Sequence, residues 1–334
     1  MTPADLLDAS GLPGRDEPLL VAVSGGMDSV TLAHCLHQAG FSIVLGHVHH
    51  GLRESAYKDE ALVKGLAGEL GCPFEAARLN LVKTPGASMQ AEARDARYAA
   101  LASMADQVGA LGIVTAHHAD DQAETVLINL ARGAGPQGLG GMDAVSVVPG
   151  RTDLKLYRPL LERTRAEIEA IALARGLRWA EDPTNQDLVY RRNAVRSRLL
   201  PVLHEIFGAG ASRAIARSAR LLRAYENTEL APMSDKILES ARHPLEPTFV
   251  RTEGFLLQQE ELAQLGPVWR TRVLLQALEE AGLDAPRDEQ TALAIGTLLE
   301  SQPGRYLAFP GGAVWREREG LAFVGSGVGS GVGS

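Results

Sequence analysis

The stretch Leu19-Leu20-Val21-Ala22-Val23-Ser24-Gly25-Gly26-Met27-Asp28-Ser29 begins as a short apolar run and ends in glycines and polar residues. The apolar part is rich in branched side chains and follows Pro18, which favours a buried parallel strand. Beyond the glycines, apolar residues recur with helical spacing. Glycines between a strand and a helix can present backbone N–H groups to an anion, because they tolerate positive φ and the helix N-terminus carries partial positive charge. The stretch therefore predicts a phosphate-binding loop whose residues are Ser24, Gly25, Gly26, Met27, Asp28 and Ser29.

A carboxylate stands inside this candidate loop. Asp28 would repel a bare phosphate, so its position indicates a bridging Mg²⁺. The loop lacks the Lys-Ser/Thr pair that follows the glycines of a Walker-type loop. It resembles instead the PP-loop of the N-type ATP pyrophosphatases, which split ATP between its α- and β-phosphates and adenylylate an acceptor. This resemblance implies ATP and Mg²⁺ as cofactors, and a plain strand-to-helix turn is the alternative.

Composition narrows the class of protein. The chain has 334 residues, enough for two domains, and its 45% hydrophobic content is typical of a soluble globular protein. Neither a signal peptide nor a membrane span is visible, so we expect a cytoplasmic protein without a membrane partner. Cys35 and Cys72 are the only cysteines and stand far apart, which argues against structural zinc and a redox pair. The net charge is −8, so a nucleic-acid partner would need a local basic patch.

Strand and helix patterns alternate through the first half of the chain. This alternation predicts an α/β fold with a doubly wound parallel sheet, of the PP-loop (adenine nucleotide alpha hydrolase-like) kind. A hairpin is expected at 145–148 and 154–157. Ligands of such sheets bind beyond the carboxyl ends of the strands, so residues 24–29 and 117–124 should face one cleft.

The pattern changes after Gly208-Ala209-Gly210 to longer helices and short strands. We therefore predict a catalytic domain over 1–207 and a second, smaller α+β domain over 208–325. A disordered Gly/Ser-rich tail is expected over 326–334.

Titratable residues cluster between Thr115 and Thr125. Asp121 and Glu124 are three residues apart on one predicted helix face, so their carboxylates should converge. Such a pair suits Mg²⁺ or a cationic amine, although an acid at a helix start also satisfies the helix dipole. For Asp120, capping is as good an interpretation as catalysis.

Two further groups carry candidate residues. Arg94 and Arg97 share a helix face and could reach an ATP phosphate or a charged substrate, although exposed arginines at this spacing are common. His47, His49 and His50 suggest a metal, but no carboxylate or cysteine stands at ligand spacing. Core or hydrogen-bonding roles are therefore favoured for these histidines.

An arginine-rich run extends from Arg191 to Arg223, with eight arginines, no lysine and the single acid Glu205. In an acidic protein this run favours a contact surface for nucleic-acid phosphates over a merely solvated face. Three of its arginines line one predicted helix face: Arg213, Arg217 and Arg220.

Together these elements resemble one family, the tRNA(Ile)-lysidine synthetases, over residues 18 to about 206. The most specific part is the block His117–Met142. The other matching motifs are the PP-loop, His47-Val48-x-His50-Gly51-Leu52-Arg53, Ala93-Arg94-x-x-Arg97-Tyr98, Arg158-Pro159-Leu160-Leu161, Trp179 with Asp182-Pro183-Thr184-Asn185, and Arg192-Asn193-x-x-Arg196. The chain departs from the family at His49, where Asn is usual, so no role is assigned to that position.

The resemblance implies a two-step ligation. ATP adenylylates the carbonyl oxygen on carbon 2 of the wobble cytidine of an isoleucine tRNA with anticodon CAU, and free lysine then attacks that carbon and expels AMP. The family pattern implies five catalytic residues: Asp28, which also holds Mg²⁺, Arg97, Asp121, Glu124 and Arg192. Further ATP or substrate contacts would be Arg94, His50, His117, His118 and Arg196. Asp121 and Glu124 would receive the ammonium groups of lysine, and the C-terminal domain would bind tRNA through Arg213, Arg217 and Arg220.

Two other functions compete with this interpretation. A PP-loop tRNA thiolase would rely on cysteine chemistry or a cluster, against which two isolated cysteines argue. A catalytically inactive tRNA-binding relative would carry lesions in the ATP elements, yet Asp28, Arg97, Asp121 and Glu124 are all present. The sequence leaves open the oligomeric state, a homodimer included, and the group that deprotonates the lysine amine.

Overall fold

The structure is a computed structural model and describes residues 3–8, 11–49, 56–79, 89–180, 191–245, 254–285 and 289–325. The chain divides into two compact units, Met1–Arg223 and Ala224–Ser334, and each is described by itself. Several predicted features lie outside the described residues: His50, the motif residues 51–53 and 182–185, and the tail 326–334.

The first unit is built on a six-stranded sheet. Its strands are β1 Leu19–Ala22, β2 Ile43–His49, β3 Phe74–Arg78, β4 Gly112–Val114, β5 Val145–Val147 and β6 Lys155–Tyr157. The strand order is β3-β2-β1-β4-β6-β5, and every pair is parallel except the hairpin β5–β6. The predicted parallel α/β sheet is confirmed.

Helices cover both faces of this sheet. They are α1 Pro3–Leu6, α2 Met27–Gln38, α3 Ala56–Leu70, α4 Met89–Val108, α5 Ala119–Ala131, α6 Pro136–Leu139 and α7 Arg165–Ala174. Alternate residues of β1 enter two different cores. Leu19 and Val21 pack in a core with residues of α2, α3 and α7, whereas Leu20 packs in a core with Tyr98 of α4 and Ile113 of β4. This alternation follows from the two-residue period of a strand buried on both sides.

The unit continues through α8 Arg191–Ala194, a π-helical turn Val195–Leu199, α9 Leu200–Phe207 and α10 Ala211–Tyr225. The predicted domain boundary at residue 207 falls earlier than the division between the two compact units, after Arg223. Helix α10 belongs to the first unit because its arginines pair with acids of that unit. Arg220 lies 2.8 Å from Glu162 and Arg223 lies 3.1 Å from Asp143, and Arg213 pairs with Glu167.

The second unit is a smaller α+β arrangement, as predicted. Its elements are a π-helical turn Glu226–Leu230, α11 Ala231–Ala241, β7 Arg242–Pro244, β8 Phe255–Gln258, α12 Gln259–Gln264, α13 Pro267–Glu280, α14 Glu289–Leu298, β9 Tyr306–Phe309, β10 Gly312–Arg316 and β11 Gly320–Gly325. The strands form an antiparallel sheet in the order β7-β8-β11-β10-β9. Phe255 and Phe323 stack in its core with ring centroids 5.5 Å apart. In the described parts of both units, no helix is long and apolar enough to cross a membrane.

We predict that Gly112→Ala destabilises the protein. A Cβ at this buried position would lie 2.4 Å from the Tyr157 ring and 3.0 Å from the Lys155 carbonyl oxygen of the paired strand. Overpacking of this kind costs about 1–3 kcal/mol, which should lower the thermal unfolding midpoint by several degrees. Gly65→Ala is the matched control, because a Cβ on this exposed residue of α3 meets nothing within 4 Å. Since alanine favours helix more than glycine, the control should match or exceed the wild-type midpoint. Equal midpoints for the two variants would show that the β4–β6 contact is not tight.

Candidate active site

The glycine turn after β1 leads directly into α2. Gly25 has a φ of +94°, and Gly26 is the N-cap of α2 without a side-chain cap. Because the first N–H groups of a helix have no partner within it, an uncapped start leaves them available to an anion. The geometry fits the predicted phosphate loop.

The side chains of Ser24 and Ser29 stabilise this loop by hydrogen bonds to its backbone. The Ser29 hydroxyl donates to the Gly26 carbonyl at 2.9 Å, and its oxygen accepts from the Ser24 N–H at 3.2 Å. The loop is also tied to a distant segment, because the Ala180 N–H donates to the Gly25 carbonyl at 2.9 Å. In this arrangement the serine hydroxyls accept from the N–H groups of Ser24 and Gly26, and the N–H groups of the first turn of α2 are left for a ligand.

The N-terminus of α5 meets this loop through His118. The His118 Nδ1 accepts from the Asp120 N–H at 3.3 Å, and the Asp121 carboxylate accepts from the His118 N–H at 3.1 Å, so the helix begins with a reciprocal cap. The His118 Nε2 lies 3.6 Å from Asp28 and 3.4 Å from Asp121. The two segments that the sequence analysis expected at one cleft are therefore in contact.

The imidazole of His118 and the carboxylates around it shift each other's pKa toward the charged forms. Burial by itself lowers the pKa of His118, but the carboxylates of Asp121, Asp28 and Asp120 outweigh it and raise that pKa. Burial likewise raises the pKa of Asp121, but His118 and the arginines beside it outweigh that effect and lower the pKa. The carboxylates thus favour the protonated form of His118, whereas only the neutral form can accept the cap hydrogen bond from Asp120.

Asp121 and Glu124 of α5 form a charge cluster with Arg192 and Arg196. Glu124 is fully buried, and its two oxygens accept from the Arg192 Nε at 2.9 Å and the Arg196 Nε at 2.6 Å. Arg196 also donates through Nη2 to Asp121 at 2.8 Å. The two carboxylates converge, as predicted from their spacing, but each is already paired. A cationic amine entering here would share these oxygens with the guanidinium groups.

The arginines of the charge cluster remain open to solvent on one side, with about two fifths of each side chain exposed. Burial by itself lowers the pKa of Arg196, but Glu124, Asp121 and Asp28 raise it. Arg196 is thus held by α5 and is electrostatically coupled to the phosphate loop.

His117 faces a different environment from His118. Its Nδ1 lies 2.9 Å from the Thr115 hydroxyl. Burial is the main reason that its pKa is well below the usual range, and Arg158, Arg192 and Arg97 add to this effect although Asp121 opposes it. His117 is therefore neutral at pH 7 and can exchange hydrogen bonds with a polar substrate.

Arg94 and Arg97 flank the buried Tyr98 on α4. Their guanidinium carbons lie 5.0 Å and 5.3 Å from the centre of the Tyr98 ring. Within the described parts of the chain, neither arginine pairs with a carboxylate. These cations, with the neutral His117 close to Arg97, give the site an end that favours anions.

Asp28 offers a test of whether Mg²⁺ fits. Its Oδ1 atom is buried and has no hydrogen-bond partner, which leaves one oxygen for a cation. Across the described residues, no group of three or more His, Cys, Asp or Glu side chains is arranged to hold a metal. A Mg²⁺ at Asp28 would therefore need phosphate oxygens of a ligand as well, which is common for this ion.

Two residues at the site, Thr115 and Arg158, were not predicted from the sequence as functional residues in their own right. Thr115 lies within hydrogen-bond distance of His117, and Arg158 is buried and donates to the Asp143 carbonyl at 2.6 Å and the Ser146 hydroxyl at 3.0 Å. Each follows the carboxyl end of a strand, Thr115 after β4 and Arg158 after β6, as the phosphate loop follows β1. Their positions at the carboxyl ends of parallel strands could have identified them as candidates, because ligands of such sheets bind there.

The histidine and arginine predictions outside the cleft have separate outcomes. His47 is buried and its Nδ1 lies 2.8 Å from the Val23 carbonyl, in agreement with the expected hydrogen-bonding role. Arg213 and Arg220 are paired with acids, as described above. Arg217 is exposed and has no ion pair to a described residue. The assignment of these three arginines to tRNA stays a prediction.

The fold and the loop define the class: this is a PP-loop protein of the adenine-nucleotide-binding α/β type. Residues 7–203 match the family described as PP-loop domain, and residues 257–322 match the TilS substrate binding domain. A tRNA(Ile)-lysidine synthase from Salinispora arenicola is 40% identical over 273 residues, which is 79% of this chain and 77% of that protein. This chain belongs to the tRNA(Ile)-lysidine synthase family.

Longer relatives match only in part. The tRNA(Ile)-lysidine synthase from Thermus thermophilus is 38% identical over 312 residues, which is 92% of this chain but 57% of that protein. That from Burkholderia mallei is 44% identical over 214 residues, 63% of this chain and 43% of that protein. The chain thus spans about half the length of these two relatives.

One solved structure shares the fold at low identity. The U34-tRNA thiolase NcsA from Methanococcus maripaludis, with its [4Fe-4S] cluster, aligns with a TM-score of 0.55 and 18% identity over 66% of this chain and 78% of that chain. The likeness concerns the fold alone. In this chain Cys35 is buried in the core, and burial raises the pKa of its thiol to about 12, which is unlike a reactive cysteine.

We predict that His118 makes stability depend on pH. A group whose pKa rises above its ordinary value of 6.5 on folding contributes stability that is complete below pH 6.5 and is lost as the pH climbs through the folded value. The matched variant is His118→Asn, because asparagine keeps N-cap ability without the charge. The difference in unfolding midpoint between wild type and variant should shrink from pH 6 to pH 9. A constant difference would mean that His118 acts only as a cap.

Proposed function

We propose that this chain catalyses the ATP-dependent joining of free lysine to carbon 2 of the wobble cytidine in an isoleucine tRNA with anticodon CAU. The product would pair with adenosine, so the tRNA would read AUA in place of AUG. The observation that carries the proposal is the contact between the uncapped phosphate loop and the N-terminus of α5, through His118, Asp28 and Asp121. Family membership supports the choice of substrate, and a tRNA substrate implies a cytoplasmic reaction.

The first step needs an electropositive site for a triphosphate. The N–H groups of the first turn of α2 would hold phosphate oxygens, and Arg94 and Arg97 would stabilise the negative charge that develops on the leaving pyrophosphate. Asp28 would hold Mg²⁺, which when bound supplies positive charge that neutralises phosphate oxygens. The proposed outcome is an adenylylated cytidine.

The second step needs a site for an amino acid. The charge cluster contains two carboxylates and two guanidinium groups, so its formal charge is zero. Such a cluster can exchange partners with a zwitterion: an ammonium group would take oxygens of Asp121 or Glu124, and a carboxylate would take N–H groups of Arg192 or Arg196. The partly exposed arginines are consistent with this exchange.

The test of the proposal is incubation of the chain with ATP, isotope-labelled lysine and total tRNA, followed by mass spectrometry of the nucleosides. Label in a modified cytidine would support the proposal. In a parallel reaction with sulfide in place of lysine, new formation of a sulfur-containing nucleoside would favour the thiolase alternative. Bound but unmodified tRNA would favour an inactive relative.

We predict that Asp28→Asn lowers lysine incorporation by about two orders of magnitude, because it removes the charge that would hold Mg²⁺ beside the phosphates. The fold should persist, since the shape of the side chain is kept. Asp95→Asn is the control, as Asp95 is an exposed acid on α4. Rates are measured at saturating ATP and lysine. Near-normal turnover of Asp28→Asn would contradict the assignment of the loop.

Glu124→Gln tests the lysine site. A charge-assisted hydrogen bond contributes about 1.5–3 kcal/mol, so the KM for lysine should rise about tenfold or more, while the KM for ATP changes less. Glu162→Gln is the control, because Glu162 is an exposed acid that pairs with Arg220.

Loss of packing alone would give a different pattern. The unfolding midpoint should fall in either case, because the buried Glu124 pairs with both arginines. If Glu124 only anchors the arginines, the KM values for ATP and lysine should rise together. That result would remove Glu124 from the lysine site.

A further inference from the structure

The segment that follows the charge cluster exposes a row of large apolar side chains. Leu199, Val202, Ile206 and Phe207 are between 40% and 71% exposed. The first three recur at i, i+3 and i+7, so they lie on one side of the helical segment, and Phe207 ends α9 beside them. We call these four residues the apolar face. Contiguous exposed apolar surface of this kind is typical of interaction sites, whereas single exposed apolar residues are common on any protein surface.

The apolar face is continuous with the candidate active site. The same helical segment carries Arg192 and Arg196 near its start, and both donate to Glu124. At the rise of an α-helix, Phe207 lies roughly 16 Å along the axis from Arg196. A ligand that extends from the charge cluster along this segment would therefore contact the apolar face after a few nucleotides.

The helical segment that carries the apolar face is basic along its length. Arg191 and Arg198 are exposed, and neither forms an ion pair with another described residue. Glu205 is the single acid between Arg191 and Arg223, although the whole chain has a net charge of −8. Exposed apolar side chains with arginines and almost no acid suit a ligand that offers both flat apolar groups and negative charge. Single-stranded RNA offers both.

We propose that the apolar face holds unstacked bases of the RNA substrate beside the nucleotide that is modified. This inference rests on the proposed function. Chemistry at a ring carbon requires that the base leave its stack, and the neighbouring bases then lose their contacts. Phe207 would stack on one such base, Leu199, Val202 and Ile206 would cover others, and Arg191 and Arg198 would pair with the connecting phosphates.

The test compares Phe207→Ala with Leu173→Ala. Leu173 is the matched control, because it is 64% exposed on α7 of the same unit, against 65% for Ile206 and 71% for Phe207. Loss of one stacked base should raise the KM for tRNA about tenfold without changing the KM for ATP or lysine. Phe207→Trp keeps a flat ring and should stay near wild type. Filter binding of an anticodon stem-loop RNA measures the same effect without catalysis.

The outcomes separate this inference from the proposed function. If the wild type forms lysidine and Phe207→Ala matches Leu173→Ala in KM and in RNA binding, the inference is overturned and the function stands. If the wild type forms no lysidine, the proposed function fails, and the stem-loop binding of the two variants still tests the surface. A wild-type dimer that becomes a monomer in Phe207→Ala, with unchanged RNA binding, would make the face a subunit interface and overturn the inference.

Discussion

The buried carboxylate of Glu124 is the constraint on which the candidate site depends. A fully buried charge is tolerated only when it is paired, and removing one partner of such a pair costs about 3–5 kcal/mol. Glu124 has no exposed surface, and its partners Arg192 and Arg196 come from a segment 68 and 72 residues away. Helix α5 and the segment that begins at Arg191 must therefore dock together.

This constraint divides the cleft into two electrostatic ends. Carboxylates and their cations surround the N-terminus of α5, where Asp28, Asp121 and Glu124 lie within one network through His118 and Arg196. On α4, Arg94 and Arg97 face no described carboxylate within ion-pair distance. An anion is favoured at the second end and at the N–H groups of the first turn of α2, whereas the carboxylates of α5 with their arginines favour a zwitterion or cation. A reaction between a triphosphate and an amino acid needs both.

The sequence predicted the parallel sheet of the first unit, the α+β class of the second unit and the two segments that meet at the cleft. These features follow from the periodicity of apolar residues and from the common edge at which parallel strands end. It could place Asp121 and Glu124 on one helix face. It could not show that Arg196 pairs with both, since helical spacing says nothing about partners 75 residues apart. The arginines of α10 illustrate the same limit. Their spacing indicates a basic face, but Glu162 and Glu167, which pair with Arg220 and Arg213, belong to another segment.

The contact between His118 and the phosphate loop also links proton binding to ligand binding. His118 lies between Asp28 at the start of α2 and Asp121 at the start of α5. An anion bound at the first turn of α2 adds negative charge near the imidazole and so favours its protonated form, whereas Mg²⁺ at Asp28 would oppose this effect. By reciprocity, protonation of His118 favours the anion by the same factor. Protonation places a hydrogen on Nδ1, which then cannot accept from Asp120, so anion binding would weaken one cap bond of α5.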